Sequence, residues 1–407
     1  MPRKFLTSVL FLFAALVVLA ACTRPWGGGR TPQATPLVQA TETQPPTRQP
    51  PSATPTPTQT LTPTPTQTRT PTPTIEPLAH GPFGFPPNVN PLTGLFVSNP
   101  DILNRHPVMV KVSNFPRGLR PHSGLSFADL VFEYYIGVGA TRFTALFYGQ
   151  NTEKAGPVRS ARLIDSYLAN AYQGVLAFAS ADPFVLQRIR NALGNRAITE
   201  GPITCPAMCR TGSGDVNSVF VNTALLSEYA VEDRQVPDEA PYLEGMAFDP
   251  VAPETGSQAG ARLTVQYATS TISDWRYDET SGTYLRWIEE VDAAGNVSLI
   301  PLTDRLTDQQ LAFANVVVLF VEHDELKPTL HDIRILDNTQ GQRAILFRDG
   351  QAYDIRWKAV GNQPLQFYFP DGTPAPFKPG NTWFQVVGLG SIVNESGGAW
   401  EVFFRLP

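Results

Sequence analysis

A run of threonine and proline decides where this chain can fold at all. From Thr23 to about Pro87 the sequence is dominated by Thr, Pro, Gln and Ser, and Thr54-Pro-Thr-Pro-Thr58 recurs at Thr62 and at Thr70. Such a segment carries too few large apolar side chains to offset the entropy of ordering it. Its prolines favour extended polyproline II at ~3.1 Å per residue, so ~60 residues reach on the order of 100–190 Å. The same composition suits O-glycosylation. A core must therefore come from the residues that follow. With 407 residues and 42% hydrophobic content, the remainder is large enough for one.

Ahead of this run, Arg3 and Lys4 precede an apolar stretch from Phe5 to Leu19, then Leu19-Ala20-Ala21-Cys22. A short apolar core followed by small residues reads as a secretory signal. It is shorter than the ~20 residues needed to span a bilayer. A cysteine at the first mature position resembles a bacterial lipobox, which implies a diacylglyceryl group on the Cys22 thiol. The expectation is a signal segment at 1–21 and a disordered stalk at 22–87, with the protein lipid-anchored on the extracytoplasmic face of the cell membrane. Net charge is −5, from 31 basic and 36 acidic residues. With no strongly basic region, nucleic acid is not expected as a partner. The other two cysteines are Cys205 and Cys209. Outside the cytoplasm they would tend to oxidise, so a disulfide is preferred. A metal site would want more ligands nearby, and a redox pair more often has two residues between its cysteines.

Residues 88–240 read as a mixed α/β domain. Strands are expected at 107–113, 129–137 and 142–148, the last two joined through Gly137 and Gly139, and again at 175–179. Helices are expected from Arg159 to about Gln173, from Asp182 to about Leu193, and from Asn217 to Glu228. A linker at 241–259 leads to a smaller, β-rich domain at 260–407, a barrel or sandwich. There Asp349-Gly350 makes one hairpin and Ser281-Gly282 another, Thr382 to Val387 is a late strand, and Trp400 to Arg405 closes a sheet. The fold class expected is α+β.

Asn90-Pro-Leu-Thr-Gly94, Arg120-Pro-His-Ser-Gly-Leu125, Ala128-Asp129, Glu133, Thr141-Arg142-Phe143 and Gly156-Pro-Val-Arg-Ser-Ala-Arg162 occur in that order. Together they resemble the YerB-like lipoprotein family. The resemblance covers roughly residues 85 to 407. It implies a two-domain envelope lipoprotein and supplies no established activity.

The run Gly156–Arg162 is the best candidate for chemistry. If a helix begins near Pro157 or Val158, its first N–H groups are free and its dipole end is positive. Arg159 and Arg162, three apart, would lie on one side of that turn. With Ser160, and with Arg120, His122 and Arg142 added, they form an anion pocket for carboxylate or phosphate. A peptidoglycan peptide, a teichoic polymer, another anionic glycan or an envelope protein would suit it. The plainer expectation is that the arginines pair with Asp129, Glu133 or Asp165. Binding is expected rather than catalysis. The alternative, a hydrolase or transferase acting on cell-wall polymer, would need Ser160, His122 and Asp129 or Asp165 in triad geometry, or Asp129 and Glu133 as a carboxylate pair. No cofactor or metal is expected: Glu322-His323-Asp324-Glu325 with His331-Asp332 lacks zinc-motif spacing. The aromatic set Trp275, Tyr277, Tyr284, Trp287 and Trp357 reads as β core before sugar platform.

Overall fold

In the computed structural model, residues 78–212, 217–336 and 338–406 are described; the expected signal segment, Cys22 and most of the Thr/Pro-rich stretch lie outside them. Residues 78–87, counted with the stalk from sequence, are docked. His80 exchanges both backbone hydrogen bonds with Phe248, at 2.8 and 2.7 Å. The N–H groups of Gly84 and Phe85 donate to the Glu244 carboxylate at 3.1 Å.

The first strands are β1 (Val108–Ser113), β2 (Leu130–Gly137), β3 (Ala140–Phe147), β4 (Val175–Phe178) and β5 (Ala197–Thr199). The helices are α1 (Leu163–Ala171), α2 (Pro183–Leu193) and α3 (Thr223–Glu232). β1 runs antiparallel to β3 and parallel to β4, which is parallel to β5. The sheet does not stop at the end of the first half. Thr382–Gly388 lies between Asn315–Val321 and β2, parallel to both. Beyond Asn315–Val321 come Gln342–Arg348, Gln351–Lys358 and Gln366–Tyr368. The two segments expected as separate domains thus contribute strands to one sheet of eleven.

Both faces of this sheet are covered, so its strands are buried nearly throughout rather than on alternate residues. Met109, Phe132, Leu146 and Leu176 face α1 and α2, with Leu168 and Ile189 packed on them. Val110, Val131, Phe143 and Trp383 face the other way, onto a second sheet that includes Leu263, Trp275, Tyr284 and Val402. That sheet runs Val297–Pro301, Thr283–Val291, Thr271–Asp278, Arg262–Ala268, Ala399–Phe403, Ile392–Ser396. The expected barrel or sandwich of the second half is therefore half of a layered whole. Strand residues outnumber helical ones, 42% to 15%. The α+β expectation is corrected to a mainly β architecture of mixed sheets with three α-helices among the described residues, all in the first half.

The second sheet grips the first through a buried ion pair. Glu133, on the face of β2 away from α1, accepts hydrogen bonds from Thr141, Ser273, Arg286 and Gln385 at 2.9–3.1 Å, and the Trp383 indole stands 3.3 Å away. Arg286 and Glu133 are 0% and 1% exposed. Trp275, Tyr284 and Trp357 are core residues.

Two helices begin later than the sequence suggests. α3 starts at Thr223, because Val219–Val221 forms β7, paired with β6 (Met208–Arg210). Asn222 then caps it by accepting from the N–H groups of Ala224 and Leu225. α1 starts at Leu163, and residues 155–161 before it are extended. Val158 N–H donates to Val219 O and Arg159 N–H to Lys111 O. These backbone groups find partners in neighbouring strands, so no helical turn forms there. Cys205, just before β6, and Cys209, within it, are joined as a disulfide.

Candidate functional site

The carboxyl ends of β1, β2 and β4 lie at one edge of the large sheet, and the run Gly156–Arg162 crosses it. Ligands of open sheets with parallel strands bind at such an edge, where helix N-termini converge. Arg159 and Arg162 reach it from an extended segment, with Arg162 as the residue that caps α1, and so do not share a helical turn. Asp165, three residues into α1, accepts from the Arg162 N–H at 2.6 Å. This ties down one helix-start donor and sets a carboxylate against the sheet.

That carboxylate meets three buried polar groups from three strands. Lys111 on β1 approaches Asp165 to 3.3 Å, Thr144 on β3 donates to it at 2.5 Å, and Tyr134 on β2 hydrogen-bonds both Asp165 and Lys111. Lys111 and Asp165 are both 0% exposed. Burial pulls the Lys111 ammonium down to about 7; Asp165 opposes this, while Arg142 and Arg162 push the same way. Burial, then Asp165, raises Tyr134 well above its ordinary range, so it keeps its proton and donates.

The arginines sit above this cluster, half-buried. Arg142, at the start of β3, donates to Ser160 O at 2.6 Å. Its pKa is lowered first by burial and next by Arg162, with Arg159 adding to the repulsion. Arg162 donates to Ala161 O at 3.0 Å, and its buried Nε has no hydrogen-bond partner among the described residues. Asp165 and Asp182, the cap of α2, act on Arg162 in the opposite sense. Among the described residues, Arg142 and Arg162 thus face Asp165 and Asp182, the first of them already shared among buried donors. Ser160 Oγ is 2.8 Å from Ser180 Oγ.

The structure brings Arg142, Arg159, Ser160 and Arg162 to this edge and sends Arg120 and His122 elsewhere. Arg120 spends its guanidinium on Glu289 at 2.8 Å and Asn114 at 3.0 Å, stacked on Phe115 beside Arg117. It lines a cavity of about 360 Å³ with Ile288, Ile300 and Leu302. His122 is buried, donating from Nε2 to Ser113 O at 2.8 Å, its ring edge-on to Phe143. Burial, then Arg120, lowers it to about 3, and Ser160 bonds to Ser180, so the triad is not assembled. Two of the three expected acidic partners are engaged elsewhere: Glu133 pairs with Arg286, and Asp129 is held by Asn90 at 2.7 Å and by the Tyr148 N–H at 2.6 Å. Of the carboxylates considered, Asp165 alone lies among the arginines. In the 322–332 run, His323 packs on Phe404, Asp324 pairs with Arg334, and Asp332 accepts from Tyr167 at 2.9 Å.

Lys111, Tyr134 and Thr144 were not legible as site residues. The available signal was a lone lysine inside Val108-Met-Val-Lys-Val112, at the same parity as Met109. In a strand covered on both faces, that position is interior either way.

Fold and site together define a mixed-sheet protein whose two halves share one sheet and a buried ion pair, with a cationic patch at the carboxyl edge of its parallel strands. Residues 92–236 match the family described as "Protein of unknown function (DUF3048) N-terminal domain", and residues 263–384 match its C-terminal domain. The chain belongs to this YerB-like family. It is 27% identical over 307 residues to a Bacillus subtilis (strain 168) protein, YerB, named as a lipoprotein, covering 73% of this chain and 85% of the relative. The crystal structure of YerB protein from Bacillus subtilis superposes with a TM-score of 0.57 at 26% identity, covering 74% of this chain and 96% of that one.

Proposed function

We propose that this chain is a lipid-anchored protein of the extracytoplasmic face that binds an anionic group of a cell-envelope ligand at the Arg142–Arg162 patch. The supporting observation is the surplus of positive charge there. Arg142 and Arg162 disfavour each other's charge, and the carboxylate beneath them is occupied by Lys111, Tyr134 and Thr144. Guanidinium forks recognise carboxylate and phosphate with charge-assisted hydrogen bonds. The buried, unpartnered Nε of Arg162 is a donor such a ligand would satisfy. The lipid anchor rests on Cys22 and on the lipoprotein name of the Bacillus relative.

The test is titration of the full chain in detergent with inorganic phosphate and with a purified peptidoglycan stem peptide. Binding is expected to weaken as salt rises, and at least about tenfold in Arg162→Ala, the loss of one charge-assisted contact. Absence of binding by both probes, or binding indifferent to Arg162→Ala, overturns the reading.

A further inference from the structure

Burying a lysine beneath arginines is costly, and the two halves already have a buried, hydrogen-bonded ion pair in Glu133 and Arg286 to hold them together. The groups that face the Lys111 amine come from every element around it. They are Tyr134 on β2, Thr144 and Arg142 on β3, Asp165 on α1, and Arg162 before it. Asp182, the cap of α2, acts on Arg162, and Arg162 in turn helps lower His331, on the strand Leu330–Ile333. Among the described residues one carboxylate touches the amine, at 3.3 Å, and it is shared with the Tyr134 and Thr144 hydroxyls.

We propose that Lys111 makes anion binding at the patch proton-linked: an anion seated on Arg142 and Arg162 draws a proton onto the buried amine. The proposal rests on the patch being the anion site. Without a guest, the two guanidinium groups repel a charge on Lys111. A guest neutralises that field, so the charged amine becomes cheaper in the complex than in the free protein. By linkage the effect is reciprocal, and protonated Lys111 raises the affinity for the anion. The free amine loses its proton near pH 7. Below that value it is charged with or without the guest, and affinity is level. Above it, each binding event must take up a proton, and affinity falls by up to about tenfold per pH unit.

The probe is inorganic sulfate, whose charge is constant from pH 6 to 9, titrated calorimetrically into the full chain in two buffers of different ionisation heat. At pH 8 the expected result is uptake of up to one proton per sulfate. His331, lowered by burial, stays neutral there and does not contribute. Lys111→Met is expected to bind sulfate with no proton uptake and a flat pH profile, while Arg162→Ala loses sulfate binding itself. Should Lys111→Met fail to fold, the proton count on the unsubstituted chain still decides. Arg162-dependent sulfate binding without proton uptake overturns the linkage and leaves the anion site standing. No sulfate binding at pH 6 overturns both.

Discussion

Single side chains in this protein are set by what encloses them more than by what adjoins them in sequence. His122 follows Arg120 and Pro121 in a motif-like run, and reads as a candidate base. In the fold it is enclosed by Phe143 and Ser113, and its neutral form is preferred down to about pH 3. His323 is similar, lowered to about 4 by burial. The unfolded chain protonates both near pH 6.5 while the folded chain does not, so stability is lost as pH falls from 6.5 toward 4. Asp129, raised by burial to about 6, works against this between pH 6 and 4, with one group against two. The melting temperature is expected to drop from pH 7 to pH 4, and to drop less in His122→Gln, which keeps a donor for Ser113 but does not titrate. Equal slopes in the two proteins would show that His122 carries none of the pH dependence.

At the scale of elements, the sequence placed most strands to within a few residues, because β-branched runs bounded by glycine or Asp-Gly need only local chemistry. It misplaced the starts of α1 and α3, where the deciding partners are distant. The N–H groups of Val158 and Arg159 are taken by Val219 and Lys111, and no local pattern records that. The strand Thr382–Gly388 is the clearest case. Its sequence says only that it is a strand; its place between β2 and Asn315–Val321 depends on contacts across some 250 residues. The expected consequence is that the first half does not fold alone. Without residues 260–407, β2 has an open edge, and the face carrying Val131, Glu133 and Phe143 loses the second sheet that covers it, leaving apolar side chains in water. A chain ending at residue 259 is expected to give no cooperative thermal transition by circular dichroism, and to gain one when residues 260–407 are supplied as a second chain. A sharp melt of the first fragment alone would contradict this.

For the whole molecule, the patch matters only where the chain is held, and that turns on Cys22. Among the described residues no helix is long and apolar enough to cross a membrane, and the stretch from Phe5 to Leu19 is shorter than a spanning helix needs. A single acyl chain gives marginal, reversible attachment, whereas two hold firmly. The diacylglyceryl group implied by Leu19-Ala20-Ala21-Cys22 supplies two. A chain so tethered meets its ligand at the membrane, and the Thr/Pro-rich residues between Cys22 and the docked segment at His80 set how far from it. Mass spectrometry of the protein recovered from cells is expected to find an N-terminus at Cys22 carrying a diacylglyceryl mass, and none in Cys22→Ala. Recovery with residues 1–21 still attached, or with an unmodified Cys22, would remove the tether and with it the case for an envelope ligand, while leaving the sulfate and proton-uptake measurements on the patch to stand or fall separately.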